Sequence, residues 1–240
     1  MKATVRLFLF LAVLVSCKPS PSTSDATNTS PEVHIAGAMK NVMWQGELAG
    51  VIRLDTIQDK AGLYGLGPES FLTGELLIND GKCYVSRVLS DSTMTVEERC
   101  DVSAPFFVYG NVTEWTEMTL PAEVKTTKDV EAFVEQHATH LTAPFAFKLT
   151  GEINSAVIHV QNLPANTSVS SPVEAHQGQT NYPIGKQEAT IVGFFSKEHQ
   201  GIFTHHDSFI HLHLITADAR KMGHLDQLDI SQMTLYLPKS

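Results

Sequence analysis

The apolar positions change period along the chain, and those changes mark its elements. Met39, Val42, Met43, Leu48 and Val51 recur near helical spacing. Gly46 and Gly50 weaken the pattern, so it predicts a helix followed by an extended stretch. Gly62, Gly65 and Gly67 then predict a tight, turning segment. Residues 71–87 read as two strands around a turn at Asn79-Asp80-Gly81, and 105–112 as a further strand. The clearest helix is 126–141, where Val130, Phe133, Val134 and Ala138 form an apolar stripe. Thr127 can cap it, Asp129 and Glu131 suit its first turn, and Pro144 stops it. Short strands are expected beyond it at 145–150, 156–160, 189–195, 209–215 and 233–237. A long polar loop opens at Leu163-Pro164-Ala165-Asn166 and runs to Gly185. No internal repeat is visible. The class is α+β, dominated by strands.

The first residues follow other rules. A short basic start containing Lys2 and Arg6 precedes an apolar stretch from Leu7 to Val15, too short to span a bilayer as a mature helix. It ends in Leu14-Val15-Ser16-Cys17, which looks like the lipobox of a bacterial lipoprotein. On that reading 1–16 is a lipoprotein signal peptide and Cys17 takes the lipid. The protein is then exported and anchored to the membrane of the cell envelope. Residues 17–32, rich in Ser, Thr, Pro and Asn, bury too little apolar surface to fold and read as a tether. One domain, 33–240, remains.

Composition adds little except by exclusion. The formal charge of −9 argues against nucleic acid as a partner, because phosphate neutralisation needs a basic face. With Cys17 lipidated, Cys83 and Cys100 are left in a strand–turn–strand stretch. A disulfide and two buried free thiols are both open readings for them.

The chemistry concentrates near the C-terminus. In Ile210-His211-Leu212-His213-Leu214, strand alternation turns the aliphatic residues to one face and sets His211 and His213 side by side on the other. That is about the separation two imidazoles need to share an ion. His224 follows beyond a turn, and a return strand would bring it across the pair. Three neutral imidazoles leave zinc an open coordination position, as catalytic sites do. The chain has 11 histidines, and outward histidines on a half-exposed strand are commoner than ligands. Spacing alone leaves both readings open.

Several segments in order carry a family resemblance. They are Gly65-Leu66-Gly67, Gly74-Glu75-Leu76-Leu77-Ile78, Asp80-Gly81-Lys82, Ala104-Pro105-Phe106 and the run FAFKLTG ending at Gly151. Thr190-Ile191-Val192-Gly193-Phe194-Phe195, Gly201-Ile202, His211-Leu212-His213 and Gly223-His224-Leu225-Asp226 complete the set. Together they resemble acetolactate decarboxylase, a zinc enzyme family that turns 2-acetolactate into acetoin and carbon dioxide. The resemblance implies an α+β fold with a mixed sheet and a zinc-bearing β region, and a homodimer paired through its sheets. It implies zinc on His211, His213 and His224, a small-molecule substrate, and Glu75 as a carboxylate that manages a proton near the metal.

Two departures stand out. The family's substrate-holding arginine falls at His159 here, and no arginine occurs between Arg99 and Arg220. A histidine can donate one bond but cannot reproduce the guanidinium fork. The family also supplies a further glutamate from a longer C-terminal tail, whereas the last acidic residue here is Asp229. Glu75 and His159 are therefore the expected catalytic residues, with His205 and His206 as further sources of function. The rival expectations are a zinc lyase for another small oxo- or hydroxy-acid and a non-catalytic zinc-binding lipoprotein.

Overall fold

A computed structural model describes residues 31–239, so the signal peptide, Cys17 and nearly all of the tether lie outside the described residues. Helix α1 (Met39–Gln45) ends where Gly46 turns left-handed, so the glycine that weakened the pattern is the stop signal. The early strands are β1 (Val33–Gly37), β2 (Ile52–Arg53), β3 (Leu63–Pro68), β4 (Glu75–Asn79) and β5 (Lys82–Ser90). They continue as β6 (Thr93–Glu98), β7 (Ser103–Ala104), β8 (Phe106–Asn111) and β9 (Trp115–Thr119). After helix α2 (Thr127–His137) come β10 (Phe145–Val160), helix α3 (Pro172–Ala175) and β11 (Thr180–Ile184). The chain closes with β12 (Gln187–Phe195), β13 (Ile210–Thr216) and β14 (Met222–Pro238).

Two six-stranded sheets result, ordered β1-β8-β3-β4-β5-β6 and β11-β10-β12-β13-β14-β9. The second closes on itself, because β10 pairs with β12 along one edge and with β14 along the other. Phe147, Leu149, Ile191, Leu212, Leu214 and Leu235 fill the closed ring. Ala146, Val192, Phe194 and Ile215 turn outward and pack on Tyr64, Leu66, Leu77 and Val108 of the first sheet. Alternation thus gives every central strand two buried faces, one for the ring and one for the seam between the sheets.

Several expectations change in detail. Segments 145–150 and 156–160 are one strand, β10, bent at Gly151 and at register shifts against β14. Gly151 has φ 140°, and a Cβ there would lie 2.3 Å from the Gln232 carbonyl. The glycine-marked segment after Gly62 is strand β3, where Gly65 and Gly67 make room for the Phe107 ring. Thr126, not Thr127, caps α2, completing a reciprocal capping box with Asp129. The polar loop holds α3 and edge strand β11. The named strands pair antiparallel throughout, and among the described residues a lone parallel bridge joins Gln200 and Thr204. Cys83 and Cys100 form a disulfide, settling that pair for the bond.

Candidate metal centre

The site lies in the seam. On β13, Ile210, Leu212 and Leu214 enter the ring core, so His211 and His213 face the first sheet. The β13–β14 hairpin sets His213 opposite His224, and the β10–β14 ladder sets His159 opposite the same residue. Gly223 permits this approach: a Cβ there would lie 2.4 Å from the His159 carbonyl oxygen. The return strand expected after the His-x-His pair is therefore present and in register.

His211 Nε2 lies 3.0 Å from His224 Nδ1, and the ring centroids of His211 and His213 are 5.1 Å apart. One nitrogen from each of His211, His213 and His224 falls within 4.8 Å of the others. Burial pushes all three well toward the neutral form, with neighbouring histidines adding to the effect. His213 is pushed down to about 3, burial first and His159 next. His211 Nδ1 and both ring nitrogens of His213 are buried without a hydrogen-bond partner. Each such orphan costs on the order of 1–3 kcal/mol. Neutral imidazoles that converge on one point, with orphaned nitrogens on His211 and His213, are the donor set a zinc-like ion takes, so the residues fit a metal.

Glu75 opens β4 across the seam, with Oε2 3.5 Å from His213 Nε2. It is almost fully buried, and burial raises its carboxyl well above the usual range against an opposing hydrogen bond from the Gln161 backbone. His159 stacks on His224 with centroids 4.6 Å apart, and its Nδ1 lies 2.9 Å from both Asp226 oxygens. His159, His224 and Asp226 form a second grouping of metal-capable atoms. The Asp226 oxygens there already face the His159 nitrogen.

Glu75, His159, His176, His205, His211 and His224 line a common chamber of ≈ 20 Å³, enough for one water. No lysine or arginine lines it. Two larger cavities, ≈ 440 and ≈ 410 Å³, lie beside it, and His205 lines all three. A groove of ≈ 1030 Å³ along Gly46–Val51 and 163–168 is larger than any of these and contains no histidine. Chemistry rather than volume identifies the site.

All five expected residues, Glu75, His159, His211, His213 and His224, thus come together. His205 joins them, with ring centroids 5.2 Å from His224, while His206 lines only an outer cavity. Sequence reasoning missed Asp226 and His176. Asp226 was reachable, since it follows His224 by two positions on a strand, as His213 follows His211. His176 sits just past α3 in the segment read as loop, with no pattern to mark it.

Residues 36–239 match the family model described as alpha-acetolactate decarboxylase. The alpha-acetolactate decarboxylase of Lactococcus lactis subsp. lactis is 28% identical over 193 residues, covering 80% of this chain and 73% of that protein. The Brevibacillus brevis enzyme of the same name is 24% identical over 244 residues, covering 97% and 81%. The crystal structure of alpha-acetolactate decarboxylase from Bacillus subtilis strain 168 superposes with a TM-score of 0.71 at 23% identity, covering 87% of this chain and 86% of that one. That likeness is one of fold.

Proposed function

The chain belongs to the alpha-acetolactate decarboxylase family, and from that premise we propose a zinc-dependent carboxy-lyase converting 2-acetolactate, or a close 2-hydroxy-3-oxo acid, to acetoin and carbon dioxide. The carrying observation is the convergence of His211, His213 and His224, with three ring nitrogens of the first two buried and unpartnered, beside a buried carboxyl. When carbon dioxide leaves, the electron pair of the broken carbon–carbon bond passes to an enolate, and a proton must then reach carbon. His211, His213 and His224 would hold the zinc, which when bound would supply Lewis-acid stabilisation to the oxygen that gains charge. Glu75, whose carboxyl burial raises well above its usual range, stands 3.5 Å from His213 Nε2 and is the group placed to carry that proton. His159 meets the substrate where the family carries an arginine.

Attachment to the cell envelope through lipidated Cys17 belongs to the same proposal. A disulfide between Cys83 and Cys100 supports it, since such bonds persist in oxidising compartments. Homodimerisation is carried over from the family. A second reading, zinc binding without turnover, is favoured by the small chamber and by its want of lysine or arginine. Zinc-loaded protein given acetolactate separates the two. Acetoin that forms, and stops forming on chelation, supports the enzyme; bound zinc with no acetoin supports the rival.

A further inference from the structure

We propose that the His205 side chain gates the histidine site: swung aside, it joins the chamber to the ≈ 440 Å³ cavity beside it, and so decides what reaches the trio. The inference rests on the decarboxylase reading only for the identity of what passes. A mismatch of size motivates it. The chamber's ≈ 20 Å³ holds one water. The neighbouring ≈ 440 Å³ lies within the about 300–1,000 Å³ usual for small-molecule sites. A small organic molecule thus fits beside the trio but cannot reach His211, which lines the chamber alone of the three cavities, until part of the wall moves.

His205 and His224 are the residues that line both spaces. His224 is tied in place, 3.0 Å from His211 Nε2 and stacked on His159. His205 is not. Its ring stands edge-on to His224 and His211, with centroids 5.2 and 6.5 Å away, and its nitrogens make no hydrogen bond among the described residues. Rotation about its side-chain torsions is enough to turn it, and the ≈ 410 Å³ cavity that it also borders gives it room to turn into. The backbone on either side is pinned. Thr204 is fully buried and bridged to Gln200, whose side-chain amide donates to the His206 carbonyl at 2.8 Å. Downstream, Glu131 of α2 accepts from the Ser208 hydroxyl at 2.6 Å and from the Phe209 backbone N–H at 2.9 Å. An untied side chain on a pinned backbone makes a swinging residue, not a lid loop.

Diethyl pyrocarbonate, a small reagent that acylates neutral imidazole, tests the gate without turnover or metal. Metal-free full chain, with circular dichroism matching the zinc-loaded form, is treated with it, and acylation of each histidine is timed by tandem mass spectrometry. Wild-type His211 should react about tenfold or more slowly than exposed His206, because only the open fraction is competent. His205→Ala should speed His211 about tenfold or more at unchanged circular dichroism, while His205→Phe, which keeps the bulk, stays near the wild-type rate. Wild-type His211 as reactive as His206 would overturn the gate, and so would equal rates in His205→Ala and wild type. Equal rises in His205→Ala and His205→Phe would overturn it too, since bulk would then not matter. Should His205→Ala fail to fold, His205→Asn carries the same expectation; failure of both makes the ring a structural support and ends the proposal. Zinc content should match between wild type and His205→Ala, and zinc lost from the variant alone would make His205 a ligand instead. Absence of acetoin would sink the decarboxylase reading and leave the gate to the acylation rates.

Discussion

Lys148 and the histidine trio both sit on strands of the closed sheet, ringed by aromatic or imidazole groups from more than one element, yet their polar atoms fare differently. The Lys148 ammonium lies 4.9 Å from the Trp115 ring, 4.8 Å from Tyr236 and 5.5 Å from Tyr64, and donates to the Tyr64 hydroxyl at 3.3 Å. Burial lowers its pKa and lifts the Tyr64 hydroxyl to about 12, but the cation has its partners within the chain. The histidines have no such closure. His211 keeps one ring nitrogen and His213 both without partners, in a place water scarcely reaches. A satisfied cage holds the sheets together; an unsatisfied one asks for a ligand.

Breaking the unsatisfied region should have the larger effects. Glu75→Gln removes the acid beside His213 while keeping its shape, and should lower acetoin formation about 10²- to 10⁴-fold with zinc content retained. Steady-state kinetics with parallel metal analysis checks it. Gly223→Ala pushes β14 off the His159 carbonyl and should destabilise the fold by about 1–3 kcal/mol, weakening zinc binding in step. Denaturant unfolding and a zinc competition titration measure both. Lys148→Met sharpens the comparison from the other side. It should cost about 1 kcal/mol in unfolding free energy, from lost cation–π contacts, and leave zinc content and turnover unchanged.

How far the sequence reached follows from the range of the interactions. Alternation in β13 showed that His211 and His213 share a face, and a simple return strand placed His224 against them. Closure of the sheet was hidden, because it depends on β10 pairing with β12 and β14 at once, and neither contact leaves a local mark. Gly151 reads as a breaker, yet β10 continues through it. Exposed Asp226, Gln227, Asp229 and Gln232 disguised β14, of which only the last part looked like a strand. The buried state of His211 and His213 was equally out of reach, since it comes from a second sheet laid over what the pattern presents as a half-exposed face. His159 was singled out from the sequence, but its partnership with Asp226 needed the β10–β14 register.

The proposed function requires His211, His213 and His224 to hold one zinc. Metal analysis of purified His211→Ala, in protein whose far-ultraviolet circular dichroism matches wild type, tests it most directly. The account predicts about one zinc per chain in wild type and almost none in the variant; zinc content unchanged by the substitution would contradict it.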